Sequence, residues 1–343
     1  MVNTTKKIKI GNKVIGGNSP ILVQSMCNTL TKDARQTINQ IHELEDAGCE
    51  IIRVSVPDKK SLNALKEIKD NISIPLVADI HFNHKLAVDS ARYADKLRIN
   101  PGNIGSKENV LAVIKAAKDS NIPIRIGVNL ASIEKDLLAY KNKAEAMVES
   151  ALRRIKIFEK ADFYDVVLSL KASDIKTTID AYKLVSEKTD YPLHIGITEA
   201  GTSFSGTIKS SIGLGHLLLN NIGDTMRVSL SAHPAEEVRV GFEILKSLGL
   251  RKHGVTITSC PTCARAHIDI IVLSKKLEEL TSSIKKPAHI ALMGCEVNGP
   301  GESVKADIGI SGGKPKSVLY KNGKILKKVD EKDIIDSVLK EIS

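Results

Sequence analysis

Eight short apolar runs, each followed by an amphipathic stretch, recur over the first 250 or so residues, and this rhythm constrains the fold more than any other feature. The runs are Ile21 to Met26, Ile51 to Val56, Pro75 to Ile80, Lys96 to Asn100, Ile124 to Asn129, Val166 to Lys171, Leu193 to Thr198 and Thr225 to Leu230. Strands apolar on both faces suit a parallel sheet covered by crossover helices. Between them the spacing is helical: Val148, Leu152 and Ile155 share one face, as do Val238, Phe242 and Leu245, with Pro234 in a first turn. Eight such units make an α/β fold of the (β/α)₈ TIM-barrel type. A doubly wound sheet is disfavoured, because no G-x-G-x-x-G turn follows the first run. Lys7 to Gly17 alternates like a small hairpin able to plug the bottom of the barrel.

From about Gly254 the pattern changes. Val255 to Thr258 and His289 to Met293 are expected to be extended, Ile268 to Leu280 helical, and Val318 to Tyr320 and Ile325 to Val329 form a hairpin about Asn322-Gly323. Asp330 is expected to cap a final amphipathic helix carrying Ile334, Ile335, Val338, Leu339 and Ile342. The chain thus divides into a barrel, residues 1–250, and a small α+β domain, residues 251–343. Neither a run long enough to span a membrane nor a leader-like apolar core in Met1 to Ile10 is present, so a cytoplasmic protein without a membrane partner is expected.

The 50 Lys and Arg against 40 Asp and Glu leave a net charge of +10, which favours an anionic partner. Nucleic acid fits poorly, since Trp is absent, aromatics are 3% and no dense basic block occurs. The cations instead gather at strand ends. Arg53, Asp79 with His81, Arg98 with Asn100, Arg125 with Asn129, Lys171, and Arg227 with Ser229 fall at strand ends with a shared parity within each strand. On the outer face they would be buried dry beneath helices, so an inward direction toward a common cavity is expected. So many cations with so few acids imply a multiply charged anion, for which Arg supplies bidentate contacts. The loop Glu199 to Gly206, ahead of a helix, is a further place for a phosphate.

Three of the five cysteines lie in the small domain: Cys260 and Cys263 in a C-x-x-C pair, and Cys295 in Gly294-Cys295-Glu296-Val297-Asn298-Gly299-Pro300-Gly301-Glu302. Their spacing suits a [4Fe–4S] cluster one ligand short, a Cys₃His zinc site recruiting His267 or His289, or a dithiol. Cys27 and Cys49 read as packing thiols, with Cys27 near enough to a strand end to line the mouth.

Long motifs then carry a resemblance that runs nearly end to end. Val23-Gln24-Ser25-Met26, Arg53-Val54-Ser55-Val56-Pro57, Val77-Ala78-Asp79-Ile80-His81-Phe82, Leu97 to Gly105, Ile124 to Asn129, Ile197 to Gly201, Cys260-Pro261-Thr262-Cys263 and Val297 to Glu302 resemble the 4-hydroxy-3-methylbut-2-enyl diphosphate synthase family. The resemblance implies a barrel that binds 2-C-methyl-D-erythritol 2,4-cyclodiphosphate and a second domain whose [4Fe–4S] cluster is held by Cys260, Cys263, Cys295 and Glu302. The implied reaction is a two-electron reductive ring opening with loss of water, in the non-mevalonate isoprenoid pathway. Reduced flavodoxin or ferredoxin would be the donor, and a homodimer would share each active site between chains. Arg53, Arg98, Arg125, Lys171 and Arg227 would hold the cyclic diphosphate, with Asn100, Asn129 and Ser229 as further donors. Asp79, His81, His194 and Glu199 are candidates for the substrate hydroxyls and proton transfer, with Glu199 favoured as the catalytic acid and His194 read as too deep. With only about twenty residues between Glu237 and Cys260, no extra domain fits between, so the short two-domain form is implied. A zinc-stabilised phosphate-binding barrel, a lyase or aldolase using Lys171 as a Schiff-base amine, stands as the alternative.

Overall fold

Each apolar run of the first 250 residues contains a strand, and most of the long helices that follow open on a polar residue that caps them. The computed structural model describes residues 4–342, so the first three residues of the stretch Met1 to Ile10 and the final residue of the small domain lie outside the described residues. A hairpin, β1 (Ile8–Ile10) and β2 (Lys13–Ile15), comes first. Eight barrel strands follow: β3 (Leu22–Met26), β4 (Ile51–Ser55), β5 (Leu76–Asp79), β6 (Lys96–Ile99), β7 (Ile124–Val128), β8 (Val166–Leu170), β9 (His194–Ile195) and β10 (Thr225–Met226). Asp33, Asp58 and Asp174 each cap a crossover helix by accepting a backbone N–H, and Pro234 occupies the first turn of its own. The parallel order is β8-β7-β6-β5-β4-β3-β10-β9, and a bridge between Leu168 and Leu193 joins the two ends. The TIM barrel expected from the sequence is therefore present.

The last two strands are much shorter than the runs Leu193 to Thr198 and Thr225 to Leu230. Their hydrogen bonds are diverted where the ladder would continue. The Tyr182 hydroxyl stands between β8 and β9, accepting from Leu170 N–H at 3.1 Å and donating to His194 O at 2.6 Å, and beyond β10 the Leu230 N–H donates to the Glu237 carboxylate at 3.0 Å. The apolar runs continue, but their backbone turns aside to shape the strand ends.

The hairpin closes the opposite end. Ile8, Ile10 and Ile15 pack with Leu22, Ile51, Val77 and Val167 from the first turns of the strands. The Asp224 carboxylate secures the junction, accepting from Thr5 Oγ1 at 2.6 Å and from Leu193 N–H at 2.7 Å.

One compact unit ends at Arg251 and a second begins at Lys252. The second holds β11 (Val255–Ser259), β12 (Ala288–Met293), β13 (Ile308–Ser311), β14 (Ser317–Lys321) and β15 (Lys324–Val329), in that order across one sheet. The first three run parallel and the last two antiparallel. Asn322 and Gly323 both have positive φ, 48° and 77°, as a two-residue hairpin of this hand requires. The strand β13 is absent from the sequence reading because its run is short and interrupted by Gly309, whose missing side chain leaves room for Ser303. Asp330 does not cap the last helix. Its carboxylate accepts from Lys316 Nζ at 2.9 Å, and a 3₁₀ turn, Glu331–Asp333, precedes the helix Ile334–Ile342.

Ile10 is fully buried in the plug. Ile10→Ala is expected to cost about 2 to 5 kcal/mol in urea unfolding, the range for truncating a buried aliphatic side chain. A loss under about 0.5 kcal/mol would show that the hairpin does not seal the core.

Candidate functional site

At the C-terminal end of the barrel, strand ends and the residues just beyond them line a space of about 500 Å³, part of it open to solvent. Arg53, Arg98, Arg125, Lys171 and Arg227 all contribute to its wall, with Asn129, Ser169, Thr198 and Ser229 between them. The shared parity along each strand is what turns these side chains inward together.

Two acids hold part of this charge. Asp79 accepts from Arg98 Nη1 at 2.9 Å and faces Arg53 Nε at 3.6 Å. Arg98 Nη1 also lies 2.6 Å from His81 Nε2, which must accept there. Burial alone would raise the Asp79 carboxyl, but Arg53, His81 and Arg98 together hold it well below the usual carboxylate range. Glu237 does the same service for Arg227, at 3.3 Å, from the neighbouring helix. Arg53 and Arg227 meet at the Met26 sulfur, which lies 2.8 Å from Arg53 Nη2 and 3.7 Å from Arg227 Nη1.

Arg125 and Lys171 have no such acid. Arg125 is 1% exposed, and its Nε and Nη1 have no hydrogen-bond partner among the described residues. Burial, then Arg53 and Arg98, push its guanidinium well below its ordinary range. Lys171 Nζ reaches His194 Nε2 at 3.2 Å, and His194 Nδ1 lies 2.9 Å from Thr225 Oγ1. Burial, with Arg125 and Arg227 next, likewise lowers the Lys171 ammonium. A Cβ at Gly196 would lie 2.3 Å from Lys171 Nζ, so only glycine lets that side chain cross the backbone there.

In the second unit, Cys260 directly follows β11 and Cys295 lies two residues beyond β12, its parallel neighbour. Gly294 N–H donates to Cys260 Sγ at 3.2 Å. Cys263 is exposed, Cys295 is buried, and Glu302, on the short helix Gly299–Ser303, accepts from Lys305 Nζ at 3.0 Å. Among the described residues no three His, Cys, Asp or Glu side chains converge on one point. The donor set nonetheless suits a thiophilic iron centre: three thiols, one carboxylate and a backbone N–H aimed at sulfur. Of the two histidines considered for zinc, His289 commits both ring nitrogens, one 2.8 Å from Thr258 Oγ1 and the other 3.1 Å from Lys305 O, while His267 Nε2 faces Glu296 Oε2 at 3.4 Å.

Residues 5–242 match the GcpE TIM-barrel domain and residues 256–343 the GcpE protein C-terminal domain. The chain belongs to the GcpE family. It is 58% identical over 348 residues to a 4-hydroxy-3-methylbut-2-en-1-yl diphosphate synthase (flavodoxin) of Caldanaerobacter subterraneus subsp. tengcongensis, a match covering 100% of this chain and 97% of the relative. A protein of the same name from Clostridium perfringens is 52% identical over 339 residues, covering 98% of this chain and 97% of the relative. Among solved structures, dihydropteroate synthase from Stenotrophomonas maltophilia superposes with a TM-score of 0.54 at 12% identity, covering 71% of this chain and 98% of that one, which bears on the barrel fold alone.

Within this GcpE barrel not every expected residue reaches the cavity. Asn100 is buried, does not line the cavity, and its Oδ1 accepts from Gly102 N–H and Arg154 Nη1. Glu199 is exposed in left-handed backbone, φ 52°, and the expected loop ends early, since the helix Ser203–Leu219 begins before Gly206 and nothing from Gly201 to Gly206 lines the cavity. Cys27 is buried with its thiol pushed up to about 12 by burial and then by Cys49, as a packing residue would be. Met26, Thr198 and Glu237 escaped the sequence reading. Glu237 had one legible signal, an acid one turn after Pro234 in the helix bearing Val238 and Phe242.

The Asp79 pair makes a pH-dependent contribution. A carboxyl depressed by folding stabilises the protein above its unfolded pKa of about 3.9 and loses that contribution as pH falls below it. Asp79→Asn is expected to cost about 3 to 5 kcal/mol at pH 7, because it strands buried guanidinium groups. The gap between variant and parent in denaturant titrations should narrow only below about pH 4. A gap that stayed constant down to pH 2 would remove Asp79 from the charge balance.

Proposed function

We infer that this GcpE chain makes 4-hydroxy-3-methylbut-2-enyl diphosphate by reductive ring opening and dehydration of 2-C-methyl-D-erythritol 2,4-cyclodiphosphate, a step of the non-mevalonate isoprenoid pathway, with flavodoxin as electron donor. The observation that carries the reading is the buried Arg125 guanidinium, with two unpartnered donor atoms beside Lys171. A cavity whose buried guanidinium keeps donors unpaired is incomplete without a multiply charged anion. Arg53, Arg98, Arg125, Lys171 and Arg227 are proposed to hold the diphosphate, with Asn129 and Ser229 donating beside them. When the ring carbon–oxygen bond breaks, negative charge grows on the diphosphate. Donors already fixed by Asp79, His81 and Glu237 then stabilise it without reorganising. Glu199, at the solvent edge, is the proposed source of the proton that leaves with the hydroxyl as water.

Cys260, Cys263, Cys295 and Glu302 are the proposed ligands of a [4Fe–4S] cluster, which makes residues 252–343 the cluster domain and the barrel the substrate domain. When bound, the cluster would supply the two electrons singly, a task no side chain here can perform. The relatives' names leave the zinc-stabilised lyase or aldolase without support.

The two proposed halves are separable in experiment. Arg125→Ala should weaken inorganic pyrophosphate binding by calorimetry about ten- to a hundredfold, the equivalent of about 1.5 to 3 kcal/mol for a charged hydrogen bond, and leave bound iron unchanged. Cys295→Ser, purified without oxygen, should lose its iron and visible absorption but keep pyrophosphate affinity. A colourless parent protein with stoichiometric zinc would overturn the cluster.

We further propose a cytoplasmic homodimer in which each barrel works with the partner's cluster domain. Arg251, the last residue of the barrel unit, is pinned at the end opposite the cavity, donating to Ile21 O at 2.6 Å and to Glu50 Oε1 at 2.8 Å. The chain therefore leaves the barrel far from the cavity in which the proposed substrate would be reduced. Mixed dimers of Arg125→Ala and Cys295→Ser chains should recover up to about half of normal activity, since one of two sites is then intact. No recovery in proven mixed dimers would refute the shared site.

A further inference from the structure

Arg154 has no place in the cavity wall, yet only 2% of it reaches solvent. It lies on the crossover helix Lys143–Lys160, behind the strands. Its guanidinium spans three segments. Nη1 donates to Asn100 Oδ1 at 2.8 Å and lies 3.4 Å from Gly127 O on β7. Nη2 donates to Ser132 O in a short hydrogen bond, and Nε faces Glu134 Oε1 at 3.5 Å. Its neighbour Arg153 reaches the same loop, 2.7 Å from Asp136 Oδ2.

Apart from the Gly127 carbonyl, every partner lies beyond the ends of β6 and β7, on the cavity side. Asn100 Oδ1 also accepts from Gly102 N–H at 3.1 Å, which fixes the loop after β6. Ser132 Oγ donates to Asn129 O at 3.1 Å, and Asn129 is part of the cavity wall. A bonded path thus runs from Asn100 through Arg154 and Ser132 to Asn129. The path leaves no spare room: a Cβ at Gly102 would lie 2.8 Å from both Arg154 Nη2 and Ser132 O. This accounts for the Asn100-Pro101-Gly102 stretch, whose asparagine the cavity does not use.

We propose that Arg154 is a positioning residue which ties the loop after β6 to the loop after β7 and so sets where Asn129 stands over the anion. Asn100 belongs to this junction. The proposal rests on the reading of the cavity as a diphosphate site only for its consequence on substrate, since the tether itself is a property of the loops. Lysine in place of Arg154 keeps the charge but cannot reach three segments at once. Displacing a contact by even about 1 Å is costly to a positioned substrate.

The test uses the full-length, cluster-loaded enzyme with Arg154→Lys, Asn100→Ala and the double variant. Arg154→Lys should raise KM for the cyclic diphosphate by on the order of ten- to a hundredfold with kcat little changed, and should reduce hydrogen-exchange protection of amides 129–139 ahead of the rest of the barrel. The double variant should be no worse than the poorer single one, because both remove one junction. An unchanged KM, or multiplicative effects of the two substitutions, would overturn the proposal and return Asn100 to direct contact with substrate. Should Arg154→Lys fail to fold, Asn100→Ala must show the same loop exposure or the tether fails. A parent enzyme inactive on the cyclic diphosphate would sink the proposed reaction alone. Hydrogen exchange would still decide the tether, with equal protection of 129–139 in parent and variant refuting it.

Discussion

Positive charge confined inside the barrel is the constraint on which the rest of this structure depends. Arg53, Arg98, Arg125, Lys171 and Arg227 share one small cavity, and Asp79 and Glu237 balance only part of their charge. Such a surplus opposes folding, because each buried charge loses hydration that unlike neighbours do not fully restore. The surrounding structure limits the cost. Guanidinium groups lean on carboxylates and on the Met26 sulfur, while Lys171 rests on the neutral ring of His194. The remainder is left unbalanced, and that surplus is the physical basis of the proposed anion affinity.

This charge explains the polarity of the barrel along its axis. The bottom is dry, with Ile8, Ile10 and Ile15 of the hairpin sealing the first turns of the strands. The top is wet and its last two strands are short, because backbone groups near Leu230 serve Glu237 in place of a neighbouring strand. Stability is concentrated at one end so that the other can hold groups arranged for a ligand instead of for each other.

Much of this was legible in the sequence, for identifiable reasons. Buried parallel strands are apolar on both faces, so an arginine at a strand end stands out, and parity along one strand predicts which neighbours share its direction. That argument located Arg53, Arg98, Arg125 and Arg227 in one wall. It failed for Asn100, because parity gives direction and cannot reveal a partner such as Arg154, fifty-four residues away on another element. Glu237 was missed for the same reason: acid partners contributed by helices carry no strand signature. In the second unit the cysteines announced themselves by spacing, whereas β13, interrupted by Gly309, gave too short a run to be seen.

Side chains on the strands and those on the loops beyond them therefore behave differently under the same demand. Side chains on strands inherit their aim from the sheet and need only a counter-charge to stay in place. Asn129, just past β7, inherits nothing once the sheet ends, and its position must be built from hydrogen bonds. Ser132 fixes its backbone, and Arg154 fixes Ser132 from behind the strands. A buried arginine on a helix is a costly way to hold a loop unless the loop must be held closely, since its guanidinium has to satisfy several carbonyls at once to offset lost hydration. That cost is justified where a neutral amide has to meet an anion at a distance set by five nearby cations, each of which would draw the anion elsewhere if the loop were free to yield.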